Sequence, residues 1–191
     1  MRFSLTLGAI LLAGAAQAST RLGGTVELEY ALQTNNGDAQ KAELAVRPEF
    51  EWRSDYGFDL TAIARLRTDV YDRLEPGQPE QTAIDPWTRR GFTGDRTEAE
   101  LRELYVETYL GPTYLRAGKQ QIVWGKADGL KVLDLVNPQS FRAFILDEFE
   151  DSRIPLWSLN WEVPLGETWT GQFLFKPDQT YNELPSAGAV F

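Results

Sequence analysis

The sequence predicts an all-β fold, an antiparallel transmembrane β-barrel. About seven strands are expected, as the N-terminal portion of a larger barrel, with a short helix in a long loop. Three observations predict it. The first is the stretch Ala42 to Arg53, AELAVRPEFEWR. Side chains alternate across a strand, so Leu44, Val46, Phe50 and Trp52 fall on one face, and Glu43, Arg47, Glu49, Glu51 and Arg53 on the other. The first face suits lipid, and the second is too charged for a dry core. That combination belongs to strands around a wet lumen. The second observation is that joins alternate in length. Ser54 to Gly57, Gly111 to Thr113 and Pro164 to Thr168 are short, whereas Gln33 to Lys41, Tyr71 to Ala99 and Gly125 to Arg153 are long. Barrels pair short periplasmic turns with long outer loops in this way. The third is the set of aromatics near strand ends, Tyr30, Trp52, Phe58 and Trp169, as in an interfacial girdle. A soluble β-sandwich also alternates apolar and polar residues. Pro48 inside the second strand argues against a central position. The joins and the girdle favour the barrel.

The elements follow in order. Residues 1–18 read as a signal peptide: Arg2 supplies the n-region, Leu5 to Ala16 the apolar region, and Ala16-Gln17-Ala18 the cleavage site. The apolar run is too short for a membrane anchor. The barrel portion is expected over 19–191. Its first strand is Thr25 to Leu32, with Glu27 and Glu29 inward. The second is Ala42 to Arg53. The third is Phe58 to Val70, with Asp59, Thr61, Arg65, Arg67 and Asp69 inward and Ile63 an exception. The fourth is Leu101 to Leu110, with Glu103, Tyr105, Glu107 and Tyr109 inward. The fifth, Tyr114 to Trp124, alternates less cleanly. The sixth is Ile154 to Val163 and the seventh Trp169 to Phe175. Most are near the ~10 residues that cross an outer membrane on a tilt. Seven is odd, and single-chain bacterial barrels have even counts, so more strands are expected after the outer loop that Lys176 begins.

Composition narrows the chemistry. The chain has no cysteine and no histidine. Disulfides, thiolate chemistry, His-based triads and His-ligated metals are therefore outside its means. No pair of carboxylates stands out for glycoside hydrolysis. No enzyme, no cofactor, no metal and no catalytic residue is expected. Arg2 is the only charged residue among the first eighteen, so cleavage takes the net charge from −9 to −10. Without a basic stripe, nucleic acid is not an expected partner.

The join from Gly125 to Arg153 is the candidate constriction. Asn137 is placed to cap a short helix with Pro138 at its first position. Phe141, Phe144, Ile145 and Phe149 then share one helical face. Two arrangements compete. In one, the loop folds into the lumen and brings Lys126, Asp128, Lys131, Asp134, Asn137, Arg142, Asp147 and Arg153 to the constriction. In the other, it caps the rim with its charges in water. Its apolar surface favours the inward fold. The acidic run Asp147, Glu148, Glu150, Asp151 lacks EF-hand spacing and reads as solvated.

Gly118-Lys119-Gln120, Trp124-Gly125-Lys126-Ala127-Asp128, Asp134 and Asn137-Pro138 resemble the N-terminal region of a family of largely uncharacterised proteobacterial outer-membrane barrels. That family is porin-like, distantly similar to alginate-export and phosphate-selective porins, and often accompanies efflux pumps of the resistance-nodulation-division type. Lys119 stands where the family has Arg. The resemblance implies a barrel and a transport role in the envelope, and it implies no substrate.

The expected function is an outer-membrane channel or export conduit for small solutes. Its lumen is expected to be lined by Glu43, Arg47, Glu49, Glu51, Arg53, Asp59, Arg65, Arg67, Glu103 and Glu107. The expected partners are outer-membrane lipid, the remaining strands, a small solute and an envelope export system. The alternative is a non-conducting scaffold or binding β-protein, partnering an efflux system. Export and cleavage make a direct prediction. N-terminal sequencing of protein recovered from the cell envelope should begin at Ser19, and protein retaining Met1 would contradict the expected leader.

Overall fold

The period-two runs become strands close to the expected places. The structure is a computed structural model that describes residues 2–8, 19–74, 76–123, 135–142 and 149–185. Its strands are β1 (Arg2–Gly8), β2 (Ser19–Leu32), β3 (Ala39–Arg53), β4 (Phe58–Asp69), β5 (Gly91–Thr93), β6 (Thr97–Leu110), β7 (Thr113–Gln120), β8 (Leu156–Pro164) and β9 (Thr170–Phe175). All pairings are antiparallel. The sheet runs β1-β2-β3-β4-β6-β7-β8-β9, and β5 adds to the N-terminal end of β6. No pairing joins β1 to β9 among the described residues, so the sheet is open.

The seven expected strands correspond to β2, β3, β4, β6, β7, β8 and β9. Two strands were not expected. β1 lies along β2 with Phe3 opposite Tyr30 and Gly8 opposite Thr25. β5 falls inside the join read as Tyr71 to Ala99 and pairs with Thr97–Ala99. The starts of β2 and β6 also moved earlier. Ser19 to Gly24 and Thr97 to Glu100 show no apolar alternation strong enough to mark a lipid face.

Register makes the two faces continuous. Thr20, Trp52, Leu60, Val106, Ala117, Leu159 and Phe175 form one row across seven strands. One position along each strand, Ser19, Arg53, Asp59, Glu107, Arg116 and Asn160 form the neighbouring row on the opposite face. Large apolar residues on the first face stay exposed: Leu28 at 53%, Leu66 at 48% and Phe173 at 56%.

Two irregularities bend this pattern. Pro48 is admitted because the β3–β4 ladder skips it between the pairs Val46–Leu66 and Glu49–Ile63. On its other side it faces Gly24, where a Cβ would meet the Arg47 carbonyl oxygen at 2.4 Å. On β6 a bulge leaves Arg102 without a β4 partner, since Ile63 faces Glu103 and Ala64 faces Leu101.

The expected helix does not begin at Asn137, and 143–148, over which it would continue, lie outside the described residues. Gln139 and Ser140 make β-bridges instead, to Arg153 and Glu183. Asn137 is buried and spans two backbones. Its Oδ1 accepts from the Ile122 N–H at 2.8 Å, and its Nδ2 donates to the Ile154 carbonyl at 2.9 Å. A side chain used this way cannot cap a helix. One helical turn, α1 (Phe149–Ser152), follows later in the loop.

Gly118 has a strict steric reason. Its φ is +135°, and a Cβ there would lie 2.2 Å from the Leu104 carbonyl oxygen and 2.7 Å from the Tyr105 Cα. Gly118→Ala is expected to cost more than about 1 kcal/mol, since the conformation is one that alanine resists. The loss should appear as a lower yield of heat-modifiable, folded full-length protein after refolding into detergent.

Candidate functional site

The charged face carries the residues that can do chemistry, and cross-strand pairing sets their order. Toward the short turns, Arg21 lies 3.7 Å from Glu51 and Arg53 lies 3.1 Å from Asp59. Arg116 sends Nε and Nη2 to one Glu107 oxygen at 2.9 and 2.7 Å, and the Tyr114 hydroxyl donates to the same oxygen at 2.6 Å. The Arg116 guanidinium sits 4.4 Å from the Tyr105 ring centre and 5.6 Å from that of Tyr114. Cation–π contact and fork-like hydrogen bonding together fix its plane.

Toward the opposite strand ends, one carboxylate gathers four guanidinium groups. Glu98 on β6 lies 2.8 Å from Arg142, 3.2 Å from Arg67, 3.7 Å from Arg65 and 3.9 Å from Arg90. Glu100, two residues on, takes Arg65 at 2.7 Å and Arg102 at 3.3 Å. Burial makes an unpaired charge expensive, and each of these buried carboxylates is matched by several cations. The bulge is what turns Arg102 into this cluster. Its guanidinium donates to Glu100, to the Asp151 carbonyl and to the Arg153 carbonyl. Lys41 repeats the theme on β3, with Nζ 3.1 Å from Glu29 and 3.3 Å from Glu43.

Segments beyond these strand ends lie over this face and are tied to one another. Tyr181 N–H donates to the Ala83 carbonyl, Glu183 N–H to Gln139, and Phe141 N–H to Glu183. Gln139 N–H donates to the Asn182 side chain. Arg90 is ion-paired with Glu183, whose other oxygen accepts from Ser140 at 2.8 Å. Asp178 is the anchor of 176–185. Burial opposes its ionisation, yet donors from Thr180, Thr88 and the Trp157 amide hold its carboxyl below the usual carboxylate range. Buried apolar residues are few here: Ile84, Ile122, Ile154 and Leu156 among the described residues. This cap is held to the sheet chiefly by ions and hydrogen bonds.

The structure brings the ten expected lumen residues onto one face. Arg53 faces Asp59, and Arg67 faces Ala45 on one side and Glu98 on the other, so the signs interleave. Arg47 pairs with Asp151. Of the expected constriction residues, Lys126, Asp128, Lys131, Asp134 and Asp147 lie outside the described residues. Arg142 reaches Glu98, and Arg153 borders a cavity with Arg47, Arg102 and Glu103. Asn137 is an internal brace. Glu98, Glu100, Arg102, Arg90 and Glu183 were missed. One signal was present: Leu101 and Leu104 are three apart, and that spacing breaks period two where the bulge occurs.

Residues 31–191 match the model of a family described as a protein of unknown function, DUF1302. The chain belongs to that family. No curated protein and no solved structure matches it. In this DUF1302 chain the Glu98 cluster makes an ordered prediction. Glu98→Gln leaves four cations without their shared counter-ion and should cost about 3–5 kcal/mol, as for a buried ion pair that loses one partner. Arg142→Gln leaves Glu98 with three cations and should cost distinctly less. Denaturant titration of the folded full-length protein should rank them so, with faster tryptic cleavage in the cap of the Glu98 variant.

Proposed function

We propose that the chain forms part of the wall of an outer-membrane β-barrel, a porin-like channel or export conduit for small solutes. The observation that carries the reading is the pairing of an exposed apolar face with a charged one across seven consecutive strands. In water such an apolar expanse would be an association hazard, and in lipid it is the required surface. Exposed Trp169, Leu165 and Tyr56 at the short turns suit the interface between acyl chains and headgroups. Backbone groups unpaired in hydrocarbon cost several kcal/mol each, so a membrane-spanning sheet takes further strands on both edges until it closes. Removal of residues 1–18 leaves β2 as one of those edges.

In this reading the partners are outer-membrane lipid, the strands that complete the barrel, a small solute, and an envelope export system of the kind that related porins accompany. The similarity to alginate-export and phosphate-selective porins supports the class and carries no substrate. One observation favours the second reading, a filled and non-conducting barrel. The outer segments cover the charged face and are ion-paired to it. Single-channel recording in planar bilayers separates the two.

The faces give the test. Val46→Arg would put a charge into hydrocarbon and should cost about 2–4 kcal/mol near the midplane, blocking assembly of the full-length protein. Glu49→Gln should assemble normally and alter ion selectivity. Normal assembly of Val46→Arg together with unchanged current in Glu49→Gln would reject both face assignments.

A further inference from the structure

We infer that β1, part of the expected leader, occupies the edge of β2 at which the barrel has to close, so that the precursor stays open until residues 1–18 are gone. The inference rests on the barrel reading and adds a step to its assembly. β1 lies antiparallel along β2, from Arg2 opposite Ala31 to Gly8 opposite Thr25. The other edge of β2 belongs to β3 along its whole length, from Ser19 to Leu32. β1 therefore takes the one edge that β2 has left. With β1 in place, the sheet ends at β1. Among the described residues β1 pairs with Thr25–Ala31 alone. A barrel closed onto β1 would cross the membrane there on 7 residues, where ~10 are needed. The backbone left unpaired in hydrocarbon makes that closure unfavourable. The leader strand blocks the edge and cannot serve as wall.

Its sequence suits that edge. Opposite Val26, Leu28 and Tyr30 stand Leu7, Leu5 and Phe3, and opposite Glu27 and Glu29 stand Thr6 and Ser4. The period-two alternation of β1 is in phase with that of β2, apolar residue beside apolar residue and hydroxyl residue beside acid. The closing strand of a barrel has to meet the same requirement at the same place. The two strands compete for one row of backbone donors and acceptors, and a strand edge takes one partner at a time. Chain distance favours the leader. Residues 9–24 join the paired segments of β1 and β2, a loop whose closure costs little entropy. A strand tethered so closely acts at an effective concentration of about millimolar. The closing strand has to arrive from beyond the outer loop that Lys176 begins.

The test refolds the full-length protein from urea into detergent micelles, with the heat-modifiable band as the measure of a closed barrel. The mature protein, beginning at Ser19, is compared with the precursor, with the precursor carrying Ser4→Pro/Leu7→Pro, and with the precursor carrying Ser4→Ala/Leu7→Ala. Alternate residues of a strand turn their N–H groups to the same neighbour, and positions 4 and 7 differ in parity. One of the two prolines therefore removes a donor to β2, whereas the alanines remove none. The mature protein should give the band. The precursor and its alanine variant should lose it, and the proline variant should recover it. A precursor that gives the band as fully as the mature protein overturns the inference and leaves the barrel standing. So does a proline variant that stays without the band, since pairing would then not be the obstacle. Absence of the band from the mature protein rejects the barrel, and this inference with it.

Discussion

Strict alternation in register is the constraint on which the rest depends. Each strand places its apolar set on one face, and antiparallel pairing carries that choice to its neighbour. A slip of one residue anywhere would bring charge into the apolar row and strand the ion pairs opposite. Ion pairs are weak individually at an exposed surface. Here they act as register marks, because Arg53 opposite Asp59 and Arg116 opposite Glu107 are satisfied in one alignment only.

The places where alternation fails are the places where the site is made. The β6 bulge hands Arg102 to the charged cluster without disturbing Leu101 or Leu104 on the other face. Pro48 removes a ladder bond in the middle of β3, and Gly24 makes room for it from the next strand. Gly118 brings β7 close against β6 just before two consecutive buried polar residues, Lys119 and Gln120, which are 1% and 0% exposed. Lys119 donates to the Thr88 carbonyl at 3.4 Å, and Gln120 to the Ser158 carbonyl at 3.0 Å. The Gly118-Lys119-Gln120 motif therefore has a physical content: one close approach followed by two side chains that tie backbone together.

Most of the wall was legible in the sequence because a strand with one apolar and one charged face announces both at once. Glu43, Arg47, Glu49, Glu51 and Arg53 needed nothing beyond parity. The cap was much less legible. Its bonds join residues such as Arg90 and Glu183, or Thr88 and Asp178, that no local pattern relates. Asn137-Pro138 has the chemistry of a helix start, and tertiary contacts with Ile122 and Ile154 claimed it for something else. Glu98 and Glu100 were overlooked because Ala99 is too small to mark the outer face of a strand.

The cap is assembled from pieces far apart in the chain, and that separation orders events in time. Arg90 waits 93 residues for Glu183, and Thr88 waits 90 for Asp178. Contacts of such span form late, since the loop they close costs entropy before it returns any stability. The hairpins of the wall, joined by turns as short as Gly111-Pro112, have no such delay. The sheet must therefore find its register unaided. Until 176–185 has followed β9 into position, the charged face stands uncovered, which makes the finished cap a record that the wall beneath it is complete through β9.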